Sequence, residues 1–163
     1  EEAIHFGHEG IEMHGGNGYI EDFVTPRLLR DAQVLTVWEG TANILGLEFV
    51  RLVRKFNAHT LFVKTMKDRL KNIPKTSLKS VVNQVLIELE SDLLVFAILN
   101  EDLQTFEAKA LAKRMALVYE SVVALEMTEP MGERMTLLAE IYLETTWGTR
   151  KVGEPMKTCQ FFK

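Results

Sequence analysis

Cysteine is nearly absent from this chain of 163 residues, because Cys159 is the only one. A single cysteine cannot form a disulfide bond within the chain. Proteins of oxidising compartments commonly use disulfide bonds, so a lone cysteine indicates a reducing compartment. On this evidence the sequence predicts a cytoplasmic protein.

Long apolar runs and an excess of positive charge are also lacking. No apolar run approaches the roughly 18 residues that a transmembrane helix needs, so we expect no membrane span. The formal net charge is −4, which argues against a protein that coats nucleic acid or an anionic membrane. Hydrophobic residues make up 47% and charged residues 26% of the chain, a composition typical of a folded globular protein.

The first residues, EEAIHFGHEGIEMHGG, contain neither an initiator methionine nor the basic and apolar regions of a signal peptide. Ile4, Ile11 and His14 recur at helical spacing, as in the interior of a helix. We therefore expect the sequence to be a fragment, which leaves a mitochondrial location open beside the cytoplasmic one.

Helical periodicity runs through most of the chain, and no stretch shows the alternation of a β-strand. QVLTVW (33–38) is β-branched and is expected to form an extended, irregular connector. Helices are predicted over 1–14, after Thr25-Pro26, after Thr41, from Ser77, over 101–127 and after Pro130. Their predicted buried stripes are Leu45, Phe49, Leu52 and Phe56; Val82, Leu86, Leu89, Leu93 and Phe96; Ala108, Leu111, Met115, Val118, Val122 and Leu125; and Met135, Leu138, Tyr142 and Thr145.

These stripes predict an all-α fold of antiparallel helices packed as bundles. Residues 1–57 are predicted to form one helical domain. Residues 58–79 combine a helix end with a linker that contains Pro74, and residues 80–163 form a C-terminal helical extension.

The sequence HGGNG interrupts the helices at Gly15 and Gly16. Glycine permits positive φ and lets backbone N–H groups approach a ligand, so this turn is suited to a phosphate or a cofactor edge. The same residues also fit a helix end and a tight turn without any ligand.

Glu39 lies between Trp38 and Gly40, before a helix that Thr41 is suited to cap. An aromatic wall would raise the pKa of the carboxylate toward the range of a general base. Gly40 leaves space for a substrate, and the helix N-terminus favours an anion. A glutamate on a loop is also commonly just solvated.

The two segments HGGNGY and RDAQVLTVWEGTANI, the second of which begins with the Arg30-Asp31 pair, resemble the C-terminal signature of the acyl-CoA dehydrogenases. The resemblance covers roughly residues 1–57. It implies an all-α four-helix domain of a flavoprotein that binds FAD, oxidises acyl-CoA thioesters and passes electrons to an electron-transfer flavoprotein. It also implies a homo-oligomer, a dimer or a tetramer.

The resemblance implies a role for each matching residue. Glu39 matches the catalytic base that removes the α-proton of the acyl-CoA, and its own N–H is expected to polarise the thioester carbonyl. Trp38 and Gly40 match substrate contacts. The family usually has glutamine at the position of Glu12. The implied FAD contacts are Glu12, Met13, His14, Gly15, Gly16, Thr41, Ala42 and Asn43.

The C-terminal extension resembles those of two branches, the alkylation-response flavoproteins and the very-long-chain acyl-CoA dehydrogenases. The motifs are closer to the first branch, in which the extension is linked to DNA binding. Residues 60–163 hold 14 basic and 14 acidic residues, and DNA affinity depends on a surplus of positive charge. We therefore expect packing or oligomerisation rather than DNA binding. One basic cluster stands out, and it also fits a solvated helix end: Lys64, Lys67, Arg69, Lys71, Lys75 and Lys79.

Metal binding is not expected, because the histidines lack a metal-ligand spacing and a partner cysteine. They are His5, His8, His14 and His59. The leading hypothesis is thus the C-terminal part of an FAD-dependent acyl-CoA dehydrogenase, inactive as a fragment. A DNA-associated flavoprotein and a helical oligomerisation domain are the alternatives.

Overall fold

A computed structural model describes residues 2–148 of the chain, and within these residues it contains nine helices and no strand. The predicted all-α fold is therefore confirmed, while Cys159 lies outside the described residues. The helices are α1 (Glu2–His14), α2 (Gly16–Tyr19), α3 (Thr25–Val34), α4 (Ala42–Phe56), α5 (Ala58–Lys71), α6 (Ser77–Ile98), α7 (Glu101–Glu126), α8 (Thr128–Met131) and α9 (Glu133–Trp147).

The chain divides into two compact units at the junction of Glu48 and Phe49, within α4. We call them the N-terminal unit and the C-terminal unit. In the N-terminal unit α1 packs against α2 and α3. In the C-terminal unit α6 packs against α5, α7 and α9. The predicted limits of the helical domain at residue 57 and of the linker at residue 79 stay a prediction.

The long helices of the C-terminal unit begin where side chains can cap them. Thr76 accepts a hydrogen bond from the N–H of Lys79 at 3.1 Å, and α6 starts at the next residue, Ser77, as predicted. Asn100 accepts from the N–H of Leu103 at 3.0 Å and starts α7. Only Leu99 and Asn100 separate α6 from α7, which makes these helices antiparallel neighbours.

The core of the C-terminal unit is built on α6 and α7. All five residues of the predicted α6 stripe are buried, as are five of the six on α7, with Met115 partly buried against them.

Two other helices, α4 and α9, bury a different face from the predicted one. On α4 the buried residues are Gly46, Phe49, Val50 and Val53, while Leu45 and Phe56 are at least half exposed.

The rotation of α9 also differs from the prediction. Ala139 and Leu143 are its buried residues, whereas Leu138 is 46% exposed. The indole Nε1 of Trp147 donates to Ser121 Oγ on α7 at 2.8 Å, which fixes the face that α9 presents. The small side chain of Ala139 then allows close approach of the helices, an effect that apolar spacing does not reveal.

The segment after α3 was predicted to be extended, and this is wrong. Leu35 has helical dihedral angles, and its N–H donates to the carbonyl of Ala32 at 3.2 Å. The N–H of Val37 donates to the carbonyl of Val34 at 3.0 Å. Local hydrogen bonds between neighbouring residues therefore outweigh the weak β propensity of the branched side chains.

An ion pair joins α5 to α7. Arg69 donates two hydrogen bonds to the carboxylate of Glu126, at 2.8 and 2.5 Å, and its guanidinium lies 4.9 Å from the ring centroid of Tyr119. The hydrogen bonds from Arg69 lower the pKa of Glu126. They also raise the pKa of Arg69. About a third of each side chain is exposed, so solvent screens part of the attraction.

This ion pair makes stability depend on pH. Because the folded-state pKa of Glu126 is depressed, its contribution is complete above the unfolded pKa and is lost as the pH falls through the acid range. We expect Glu126→Gln to lower the free energy of unfolding at neutral pH by about 1 kcal/mol or less. The difference from the parent chain should shrink toward acid pH in urea titrations. A constant difference at all pH values would contradict this account.

Across the part of the chain that the structure describes, no helix combines the length and apolar character required of a membrane span.

Candidate functional site

The glycine turn ends α1. Gly15 has φ 56°, and its N–H donates to the carbonyl of Glu12 at 3.1 Å, which is the geometry of a glycine that follows a helix. A Cβ placed on Gly15 or Gly16 would meet no atom within 4 Å, so this backbone is open to a ligand. Residues Gly16–Tyr19 then form α2, where the sequence predicted only a loop.

Gly18 holds α2 against α1. A Cβ at Gly18 would overlap the backbone of Ile11, whose Cα would lie only 2.9 Å away. Only glycine permits this approach of the two backbones. The position of the Gly15-Gly16 turn therefore depends on the absence of a side chain three residues later.

We expect Gly18→Ala to destabilise the N-terminal unit by about 1–3 kcal/mol, because α2 must move away from α1. Hydrogen exchange of the amides in α1 and α2 measures the effect. Gly10→Ala is the matched control, since a Cβ at Gly10 meets nothing within 4 Å. That control should be stabilised by about 0.5–1 kcal/mol. Equal exchange rates in the two variants would contradict the proposed packing role.

The second feature is a strained turn at Glu39. Glu39 has φ 59°, a left-handed conformation that non-glycine residues seldom adopt, and Gly40 follows with φ 114°. A Cβ at Gly40 would lie 3.0 Å from Cγ2 of Ile44 on α4. The carboxylate of Glu39 therefore lies on a turn of two successive residues with positive φ, directly before α4. Strained backbone of this kind is typical of functional sites.

Gly40 is half-buried, and the other predicted site residues of this turn are exposed: Trp38, Glu39, Thr41, Ala42 and Asn43. The Trp38 side chain is 63% exposed and does not shield the Glu39 carboxylate within this chain. The described residues therefore do not give Glu39 the apolar surroundings that the sequence predicted. Thr41 directly precedes α4, and its carbonyl accepts from the N–H of Leu45 at 3.0 Å.

The charged residues around the two turns form exposed ion pairs. Arg30, which the sequence grouped with Asp31, donates two hydrogen bonds to the carboxylate of Glu21, at 2.7 and 3.0 Å. This contact lowers the pKa of Glu21 and raises the pKa of Arg30. Asp31 lies 3.6 Å from Arg27 instead. Arg30 therefore ties the segment before α3 to that helix.

A histidine–carboxylate group lies on the exposed face of α1. Potential ligand atoms of His8, Glu9 and Glu12 lie within 4.8 Å of one another, and Glu12 is 3.4 Å from His8 Nε2. All three residues are exposed, and exposed acidic groups of this kind are common without an ion. The group gives no support for a metal centre.

The basic cluster of the extension is largely neutralised by its neighbours. Lys67 pairs with Glu90, Arg69 with Glu126 and Lys71 with Asp68. The ammonium of Lys79 donates to the carbonyl of Ile73. A surface that binds phosphates needs cations without such partners, so these contacts weigh against the DNA-associated alternative.

The N-terminal unit buries no large apolar side chain among its described residues. Among residues 2–48, the buried ones are Gly18, Pro26 and Gly46. A soluble domain rarely exposes so many apolar side chains without a surface to cover them. Those that are exposed are Phe6, Met13, Tyr19, Ile20, Phe23, Val24, Leu28, Leu35, Val37, Trp38, Ile44, Leu45 and Leu47.

Two polar residues with structural roles escaped the sequence analysis. Gln104 is 1% exposed, donates to the carbonyl of Phe96 at 2.8 Å and accepts from Arg54 Nε at 2.5 Å. It stands four residues before Ala108, in register with the α7 stripe, which is the signal that could have identified it. His59 is 5% exposed and has no such signal.

Comparisons with known proteins match the first part of the chain. Residues 1–51 match the model of the acyl-CoA dehydrogenase C-terminal domain. Acyl-CoA dehydrogenase family member 11 of Caenorhabditis elegans is 45% identical over 73 residues, which are 44% of this chain and 12% of that protein. The putative acyl-CoA dehydrogenase AidB of Escherichia coli is 43% identical over 47 residues, 29% of this chain and 9% of that protein.

A third relative is subunit CarC of the caffeyl-CoA reductase–Etf complex of Acetobacterium woodii. It is 39% identical over 36 residues, which are 22% of this chain and 10% of that protein. No solved structure matches the chain at a comparable level of significance.

The described part of the chain is all-α, and its residues 1–51 match the C-terminal domain of the acyl-CoA dehydrogenases. The similarity to this family lies in the segment where the resemblance predicted it. The chain spans about a tenth of the length of these relatives. The 73-residue match is longer than the family segment, so it reaches beyond residue 51.

Proposed function

We propose that this chain forms the C-terminal part of an FAD-dependent acyl-CoA dehydrogenase and supplies its catalytic base, Glu39. The reaction is the α,β-dehydrogenation of an acyl-CoA thioester. One observation carries the proposal: within the family-matched segment, an exposed carboxylate stands on a backbone of two positive φ angles immediately before a helix. Such strain is maintained where a side chain must face a ligand.

The residues around the two turns suit FAD. The backbone at Gly15 and Gly16 is open, and Thr41 and Asn43 offer exposed hydrogen-bonding side chains at the start of α4. The N-terminus of a helix favours an anionic group such as a pyrophosphate. Glu12 is the one poor match, because its carboxylate would repel that group. The contact between Glu12 and His8 reduces this repulsion when the imidazole is protonated.

In the proposed mechanism Glu39 removes the proton from the carbon next to the thioester carbonyl. The backbone N–H of Glu39 donates to the carbonyl oxygen and stabilises the charge that develops there. Gly40 leaves space for the substrate beside the carboxylate, and Trp38 lines the acyl chain. When bound, FAD supplies the acceptor for the hydride that leaves the β-carbon.

The exposed apolar side chains of the N-terminal unit support a role within a larger assembly. Covering them would also exclude water from the proposed base, Glu39. We therefore propose that the 163 residues alone are inactive and that the complete enzyme is a homo-oligomer. By analogy with a relative from an Etf complex, its electron acceptor is an electron-transfer flavoprotein.

The test is anaerobic reduction of the flavin by acyl-CoA in the complete enzyme and in its Glu39→Gln variant. We expect the variant to keep FAD but to lose rapid bleaching of the flavin. Bleaching at the parent rate would remove Glu39 from the role of base. A protein that binds no FAD at all would end the proposed function.

A further inference from the structure

The C-terminal unit contains a cavity that the proposed dehydrogenase chemistry does not use. It lies between α5 and α6 and has a volume of about 330 Å³. This volume is at the lower end of the range typical for small-molecule sites. Its apolar side is formed by Val63, Leu93 and Leu94, of which Val63 and Leu93 are buried and Leu94 is 57% exposed.

His59 lines this cavity and is only 5% exposed. Its Nδ1 atom is buried without a hydrogen-bond partner among the described residues. A buried polar atom left without a partner costs about 1–3 kcal/mol and therefore needs an explanation, such as a bound ligand or water. Burial also lowers the pKa of His59, which favours the neutral imidazole. A neutral imidazole nitrogen can donate to or accept from an acidic group, according to its tautomer.

The charges around the cavity favour one anionic group. Lys64, Lys67 and Lys71 line it, against the carboxylates of Asp68 and Glu90. Glu90 accepts from Lys67 at 2.5 and 2.7 Å, and Asp68 accepts from Lys71 at 2.6 Å. Three lysines face two carboxylates, so one positive charge is left over at the rim when His59 is neutral.

We propose that this cavity binds a small monocarboxylate with a short aliphatic body. The aliphatic part would contact Val63, Leu93 and Leu94, and the carboxylate would lie between Lys64 and the buried nitrogen of His59. The alternative, a helix face exposed to solvent, would explain why lysines are present. It does not account for lysines that share one cavity with apolar side chains and an unpartnered imidazole nitrogen.

The first experiment titrates the labelled 163-residue chain with octanoate and follows the ring resonances of His59 by NMR. We expect saturable shifts of His59 with octanoate. Octanol has the same tail without the charge and should bind up to about fivefold more weakly, the value of one exposed charge pair. Inorganic phosphate, which lacks the tail, should also bind more weakly than octanoate.

A pair of variants tests the location without disturbing the core. Leu94→Asp adds a negative charge at the cavity and should weaken octanoate binding by about fivefold. Ile98→Asp is the matched control, because Ile98 is 85% exposed on the same helix and does not line the cavity. It should leave octanoate binding unchanged.

The proposal is wrong if the His59 resonances do not shift up to about 10 mM octanoate, because a ligand with a Kd of about 1 mM is largely bound at that concentration. It is also wrong if octanol or phosphate binds as tightly as octanoate. Equal octanoate affinity of the two variants would likewise overturn it. None of them bears on Glu39, which lies in the other unit. The dehydrogenase proposal therefore stands or falls separately.

Discussion

Replacing Glu39 by glutamine in the complete enzyme is expected to slow flavin reduction by acyl-CoA about 10²- to 10⁴-fold, the range for loss of a general base. Glutamine keeps the size of the side chain and one acceptor oxygen, but its amide cannot take up the α-proton. Because FAD contacts are expected from other residues, bound flavin should be retained. Stopped-flow measurement of flavin absorbance under anaerobic conditions gives the rate.

Two further variants separate base chemistry from general damage to the N-terminal unit. Asp22→Asn removes an exposed acid of the same unit and should reduce flavin at the parent rate. Glu39→Asp keeps the carboxylate on a shorter arm and should recover part of the lost rate. If Asp22→Asn is as slow as Glu39→Gln, the effect is not that of a catalytic base.

Truncating Phe96 is expected to lower the free energy of unfolding of the C-terminal unit by about 3–5 kcal/mol, as large-to-small changes in a packed core do. Phe96 is 1% exposed, and its ring stacks on that of Phe49 with the centroids 5.2 Å apart. The carbonyl of Phe96 also accepts from Gln104. Phe96→Ala would therefore leave a cavity where α4, α6 and α7 meet.

Urea unfolding followed by circular dichroism measures this loss as a lower midpoint at unchanged slope. Ile98→Ala is the control on the same helix, because Ile98 is 85% exposed and should change stability by less than about 0.5 kcal/mol. Comparable losses in the two variants would show that burial of Phe96 is not what stabilises the unit.

The sequence predicted helix positions well wherever capping and periodicity agreed. Thr76 and Asn100 mark the starts of α6 and α7, and the stripe from Val82 to Phe96 is buried along its length. A helix with one apolar face has only one way to remove that face from water. Local sequence then suffices to predict both the helix and its orientation.

Orientation was not predictable where a helix has apolar residues on more than one face. On α4 both Phe49 and Phe56 fit the predicted stripe, but only Phe49 is buried. On α9 the hydrogen bond from Trp147 to Ser121 selects the face that includes Leu143. Such choices depend on the shape of the neighbouring helices, which periodicity does not encode.

In the candidate site, too, some features were predicted from the sequence and others came only from the structure. The motifs predicted Glu39 and the glycine turn as the residues of interest, and they identified the family. The positive φ of Glu39, the pairing of Arg30 with Glu21 and the buried nitrogen of His59 came only from the structure. Each of them depends on atoms that are distant in sequence or on a backbone angle that side-chain identity does not specify.

By itself, then, the sequence determined an all-α protein, its capped helices and a family signature around a carboxylate, because these follow from interactions within a few residues. Only the tertiary structure decided which faces of α4 and α9 are buried, and only it revealed the cavity at His59. The reason is physical: burial is a property of surfaces that meet, and a helix face is buried only if another element fits against it.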